Sequence, residues 1–271
     1  MTDDTHAAAR LDAIRQLDQR EQTSLICYTC GPDTEMERND LLSIVELLKP
    51  IPKGSPVDLL LHCGGGDVDA CEKMVSYIHS HVGFDNFRVI VPDMAKSAGT
   101  LMALSGSKIL MGDTAELGMI DPQVWLRDSH GSEFCLSVMA YLEAFESRQA
   151  QLRQDPKDPV AILMLDGFDP KLVQKYQNIR DRVRIFAEDM LKRSGSAAST
   201  ISQQLLAIGR WHTHGQPITY GSARQIGLPV VYLPNDQNMP YWDLYRLQRR
   251  LLKDGQKLFE SAHYSEIVGP D

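Results

Sequence analysis

The sequence predicts an α/β protein built around a largely parallel sheet. Apolar segments with the length of buried strands recur through the first half of the chain. Amphipathic helical patterns separate them, and the connections between elements are short. This alternation requires crossover connections, which favour parallel strands joined in the right-handed sense. After about residue 124 helical patterns dominate, so a helical C-terminal part is expected to follow the sheet.

The individual elements are predicted from the spacing of apolar residues and from the Gly and Pro residues that interrupt them. Strands are expected at 24–28, 57–61, 87–91, 109–111, 118–120 and 230–233. Helices are expected at 7–22, 40–48, 68–81, 97–105, 137–152, 170–192, 199–208 and 241–262. These elements divide the chain into an N-terminal helix (1–22), a core that contains Ser97 (23–125), a helical extension that returns to the core (126–233) and a C-terminal helix (234–271).

Composition excludes several classes of protein. The chain has 271 residues, of which 43% are apolar and 24% charged, and its formal charge is −8. This balance is typical of a globular protein, and the negative charge argues against nucleic acid as a partner. No apolar segment predicts a membrane span or a signal peptide. Five cysteines, an odd number, indicate a reducing compartment, so a cytoplasmic location is expected.

Two motifs indicate a site for acyl transfer. A glycine-rich turn, Gly64-Gly65-Gly66, follows a buried strand, and its backbone N–H groups can approach a negatively charged group closely. Ser97 begins an apolar helix among small residues, where it could be a helix cap or a nucleophile. Together the motifs supply a hydroxyl beside N–H donors, which acyl transfer requires for its nucleophile and its oxyanion.

These motifs resemble those of a known superfamily. Residues 60–66 (LLHCGGG) and 93–104 (DMAKSAGTLMAL) are similar to the glycine turn and nucleophile segment of the Clp protease and signal peptide peptidase A superfamily. Residues 116–123 (ELGMIDPQ) resemble a motif of its serine dehydrogenase proteinase family. The resemblance implies a Clp/crotonase fold of stacked ββα units, oligomeric assembly, and Ser97 as nucleophile. It also implies an oxyanion hole formed by the N–H of Gly65 or Gly66 with that of Ala98.

The general base is not identified by the motifs. Clp proteases place a histidine in an M-I-H-Q-P context, whereas Asp121 occupies the matching position here. Asp121 could orient a base or cap the turn before a proline. His212 and His214 are candidate bases, although they could equally cap a loop, and Lys171 on the long charged helix is another. Lys96 adjoins Ser97, but neighbouring side chains on a helix diverge, so direct contact is not expected.

The sequence therefore predicts a serine peptidase-like hydrolase that acts on a peptide or protein substrate through Ser97. We expect no cofactor and no metal, because neither the cysteine pair Cys27 and Cys30 nor the two histidines near residue 213 has further ligands at suitable spacing. The resemblance implies a homo-oligomer. Two alternatives remain: an inactive assembly protein on the same fold that lacks the base, and an acyl-CoA enzyme of crotonase type, which the charge of −8 disfavours.

Overall fold

The computed structural model describes residues 2–127 and 130–270. Its helices are α1 (Thr2–Glu21), α2 (Asp40–Leu48), α3 (Val68–Val82), α4 (Ala98–Leu104), α5 (Val138–Gln154), α6 (Pro159–Asp166), α7 (Pro170–Arg193), α8 (Ala198–Leu206), α9 (Ile208–Trp211), α10 (Tyr220–Gln225) and α11 (Asn235–Arg249). Its strands are β1 (Ser24–Cys30), β2 (Val57–His62), β3 (Phe87–Val91), β4 (Met94–Ala95), β5 (Ile109–Met111), β6 (Glu116–Leu117), β7 (Gln123–Arg127), β8 (Glu133–Ser137), β9 (Ile218–Thr219), β10 (Val230–Tyr232), β11 (Lys257–Ser261) and β12 (Ser265–Val268).

The main sheet has seven strands in the order β10-β5-β3-β2-β1-β11-β12. The strands from β10 to β1 pair in parallel, and β11 and β12 are added in antiparallel fashion. Every residue of the central strand β2 is buried, as expected for a parallel strand covered on both faces. The predicted α/β class with a largely parallel sheet is therefore confirmed.

Helices cover both faces of this sheet. On one face, α2, α3, α4 and the second half of α7 enclose the larger apolar core. On the other face, α1 and α11 pack over side chains of β1, β2 and β3. A small separate sheet in the order β4-β6-β9 lies at the start of α4. Among the described residues, no helix combines the length and apolarity that crossing a membrane would require.

The predicted helix over 241–262 is wrong in its second half. Helix α11 ends at Arg249, and the chain then forms the antiparallel pair β11 and β12 at the edge of the main sheet. The charged residues of β11 are buried ion-pair partners: Lys257 lies 2.9 Å from Asp40, and Glu260 lies 3.0 Å from Arg10. Because these partners are distant in sequence, local periodicity cannot reveal that the charges face inward.

Three further differences between the predicted and the observed elements fall in the segment that connects the core with α7. The predicted strand at 118–120 is displaced to β6, two residues earlier in the chain. The extension predicted to be helical begins with the hairpin of β7 and β8, and it contains a further helix, α6, for which the sequence gives no prediction. Both elements of the hairpin are largely exposed, so they lack the continuous apolar pattern that identified the core strands.

One buried histidine predicts a specific loss of stability in acid. Burial lowers the pKa of His62 to about 4, although the Asp93 carboxylate 3.5 Å away opposes this effect. Between about pH 6.5 and pH 4 only the unfolded chain then binds a proton at this site, so stability falls as the pH falls. We expect the contribution of His62 to lower the free energy of unfolding by about 2 kcal/mol when the pH falls from 7.5 to 5.

Urea unfolding of the wild type and of His62→Gln at these two pH values checks this prediction. The variant should lose about 2 kcal/mol less stability than the wild type over the same interval. Equal losses in the two proteins would contradict the assignment.

Candidate active site

Ser97 occupies a sharp turn between β4 and α4. Its backbone adopts φ 50° and ψ −115°, a region that favours glycine and costs a serine on the order of 1–3 kcal/mol. All seven residues of α4 are buried, so the packed helix holds this conformation in place. Such a turn presents a side chain at the helix N-terminus, as in the strained nucleophile turns of other hydrolases.

The hydroxyl of Ser97 is not used as a helix cap. Among the described helices, the caps Asp67, Ser137 and Asp169 accept hydrogen bonds from backbone N–H groups of the first turn. Ser97 precedes α4 in the same way but accepts none of these bonds within the part of the chain that the structure describes. A capping role therefore does not account for a serine at this strained position.

The glycine turn lies directly against Ser97. Gly65 has φ 132°, and a Cβ added to it would lie 3.0 Å from the Cβ of Ser97, so both the backbone and the close approach favour glycine here. The turn is fixed by Met36, whose N–H donates to Gly65 O at 2.7 Å and whose carbonyl accepts from Asp67 N at 2.9 Å. Of the hydrogen bonds formed within 2–127 and 130–270, none has the N–H of Gly66 or of Ala98 as its donor. Both N–H groups thus remain free to donate to a bound group.

His214 and Asp121 form a second pair of candidate residues. The Nδ1 atom of His214 lies 3.7 Å from Oδ2 of Asp121, and the imidazole is about one-third exposed. The carboxylate is buried, and its other oxygen accepts a hydrogen bond of 2.8 Å from the Ser137 hydroxyl. Asp121 therefore anchors the start of α5 with one oxygen and faces the imidazole with the other. This arrangement leaves Nε2 of His214 directed away from the carboxylate.

Lys96 links the segment that carries Ser97 to the loop that carries His214. Its side chain is buried, and its Nζ lies 2.7 Å from a carboxylate oxygen of Glu116. The same ammonium donates to the carbonyls of Leu117 and Gly215, each at 3.3 Å. Gly215 follows His214, and Lys96 precedes Ser97, so this contact links the histidine loop to the serine segment through the Lys96 side chain.

With this geometry in view, comparison with known proteins identifies the family. The sequence profile of ClpP-like SDH-type serine proteinases matches residues 1–249. The chain belongs to this family. Uncharacterized protein MJ0137 of Methanocaldococcus jannaschii is 32% identical over 243 residues, covering 86% of this chain and 75% of the relative. Uncharacterized protein MJ1495 of the same organism is 26% identical over 192 residues, covering 70% of this chain and 57% of that protein.

Solved structures similar to this chain include two proteases. The 1510-N membrane-bound stomatin-specific protease in complex with a substrate peptide has a TM-score of 0.46 and 16% identity, covering 79% of this chain and 78% of that one. ClpP1 from Listeria monocytogenes has a TM-score of 0.43 and 12% identity, covering 82% of this chain and 99% of that one.

Two predicted site residues of the chain lie apart from this arrangement. Lys171 is exposed in the first turn of α7, a part of the helix that packs against α5, and its side chain contacts none of the other candidates among the described residues. His212 is also exposed and ends α9, with its N–H donating to Ile208 O at 2.7 Å. Within the described parts of the chain, no cluster of His, Cys, Asp and Glu residues is suited to a metal ion.

The sequence did not predict the ion pair between Lys96 and Glu116. The one available signal is that Lys96 is the only charged residue of the apolar segment 94–104. A lysine in such a segment is rarely fully buried unless it is paired. That observation predicts a buried partner, but it does not identify which of the 36 acidic residues supplies it.

Proposed function

We propose that this chain is a hydrolase that cleaves peptide bonds with Ser97 as nucleophile, His214 as general base and Asp121 as the carboxylate that orients the base. The observation that supports the proposal is the contact of the Lys96 ammonium with Gly215, which links the segment that carries Ser97 to the loop in which His214 faces Asp121. Membership of a serine proteinase family supports the reaction class.

The proposed reaction proceeds in two steps. Ser97 Oγ attacks the substrate carbonyl carbon and gives its proton to Nε2 of His214, and the oxyanion accepts hydrogen bonds from Gly66 and Ala98. The C–N bond then breaks as the imidazolium gives that proton to the departing amine. Water hydrolyses the acyl-enzyme in the same manner, with His214 taking its proton and returning one to Ser97 Oγ.

The pairing of His214 with Asp121 also bears on the alternatives. The alternative of an inactive assembly protein follows from Asp121 standing in place of the histidine of the Clp motif. The imidazole of His214, from a different segment, lies 3.7 Å from the Asp121 carboxylate, and this contact supports an active enzyme with a base supplied from that segment. This distance exceeds a hydrogen bond, and catalytic hydrogen bonds of unliganded enzymes often shorten when substrate binds.

Assembly and location remain proposals. Homo-oligomer formation is supported by apolar side chains that are exposed on the hairpin and on α6: Trp125, Phe134, Val160, Ile162, Leu163 and Met164. A cytoplasmic location is supported by the five cysteines, all of which are unpaired and four of which are buried.

Digestion of a fluorescently labelled, unstructured protein tests the proposed function. The wild-type chain should release small labelled peptides without a cofactor, and His214→Ala should release them at least about 100-fold more slowly. A folded, assembled wild-type sample that hydrolyses neither this protein nor an activated ester would support the inactive alternative instead.

A further inference from the structure

We propose that Lys96 is a positioning residue that fixes the His214 loop relative to Ser97. The inference rests on the proposed function, because it concerns how the base reaches the nucleophile. The structure shows a buried ammonium immediately before the candidate nucleophile, bonded to a carbonyl immediately after the candidate base.

The acceptors of the ammonium come from two separate segments. Glu116 and Leu117 belong to β6, which pairs with β4 on one side and β9 on the other. Gly215 belongs to the loop that connects α9 with β9. The ammonium therefore joins this loop to β6 at a point beside His214, whereas the strand pairing of β9 begins only at Ile218.

The buried side chain of Lys96 lies in a slot that is closed on one side by Gly118. A Cβ added to Gly118 would lie 2.6 Å from Cδ of Lys96 and 3.3 Å from its Cα. The backbone of Gly118 thus forms one wall of the slot. Thr100 fixes this wall, since its hydroxyl accepts from Gly118 N at 3.1 Å.

Lys96 is suited to positioning rather than to proton transfer. An ammonium has three N–H donors, and here one donates to the Glu116 carboxylate and two to the carbonyls of Leu117 and Gly215. All three donors are therefore used, which leaves none for the Ser97 hydroxyl. Loss of the lysine would leave the Glu116 carboxylate without its partner and release Gly215, so the loop could move away from Ser97.

The effect on the reaction should be large. Displacing a catalytic group by about 1 Å can reduce a rate about 100-fold. We therefore expect Lys96→Met to slow labelling of Ser97 by a fluorophosphonate probe roughly 10- to 100-fold. Lys53→Met, which removes an equal charge from an exposed position, is the matched control and should label at the wild-type rate.

A double-mutant cycle with His214→Ala separates positioning from a general structural role. If Lys96 acts through His214, then Lys96→Met combined with His214→Ala should label no more slowly than His214→Ala alone. An equal slowing by Lys96→Met in both backgrounds, or none in the wild-type background, would overturn the inference.

Two milder variants keep the test valid if Lys96→Met does not fold. Gly118→Ala disturbs the slot without changing charge, and Glu116→Gln removes the carboxylate charge but retains a hydrogen-bond acceptor. Both should slow labelling, and the slowing should vanish in the His214→Ala background. Labelling that is rapid and independent of His214 would overturn the proposed function as well, whereas His214-dependent labelling that these variants leave unchanged would overturn only the role of Lys96.

Discussion

Replacing Ser97 by alanine should reduce peptide hydrolysis at least about 1,000-fold, which corresponds to about 4 kcal/mol of transition-state stabilisation. The hydroxyl is the group that would form the acyl-enzyme, and its removal leaves only binding and the oxyanion donors. Folding should be preserved, because the hydroxyl makes no capping bond and α4 is held by its buried side chains. Initial rates with a fluorogenic peptide, together with thermal unfolding, measure both effects.

A matched control is available on α3. The exposed hydroxyl of Ser80 donates to the carbonyl of Tyr77, so Ser80→Ala removes a serine hydroxyl at a distance from the site. This variant should retain the wild-type rate. A Ser97→Ala protein that keeps more than about a tenth of the activity would show that the reaction does not proceed through this hydroxyl.

Removing the proposed base should have the second largest effect. His214→Ala should lower the rate about 100- to 10,000-fold, the usual contribution of general acid–base catalysis. Asp121→Asn should lower it less, because asparagine can still accept from Ser137 through its carbonyl oxygen but no longer stabilises an imidazolium. Initial rates with the same fluorogenic peptide, measured at one pH for the wild type and both variants, check this order.

The neighbouring histidine supplies the control for this experiment. His212 lies in the same segment but is exposed and follows α9 directly. His212→Ala should therefore keep its rate within about a factor of three, an effect of about 0.6 kcal/mol. The reverse result, with His212 essential and His214 dispensable, would contradict the assignment of the base.

The sequence predicted those parts of the fold that depend on local pattern. The buried strands and the helices between them carry continuous apolar or amphipathic periodicity, and the glycine turn and Ser97 are short motifs within that pattern. The C-terminal hairpin could not be predicted in this way. Lys257 and Glu260 are typical of an exposed helical face, and only their partners Asp40 and Arg10 explain why they are buried in a strand.

The candidate site could likewise be predicted only in part, because its contacts join segments that are distant in sequence. Asp121 and His214 were each noted in the sequence, but their pairing depends on the return of the chain from α9 to β9 beside β6. The sequence does not favour Lys96 as the base, because neighbouring side chains on a helix diverge. In the structure Lys96 lies between β4 and α4, and its ammonium contacts Glu116 and Gly215.

Mass spectrometry after exposure to a fluorophosphonate probe tests the central claim most directly. The account predicts one adduct per chain, located by peptide mapping on Ser97, absent from Ser97→Ala and formed much more slowly in His214→Ala. The adduct forms when Oγ displaces fluoride from phosphorus and the hydroxyl proton is lost to the base. A folded wild-type protein that acquires no adduct, or acquires it on another residue, would contradict the account.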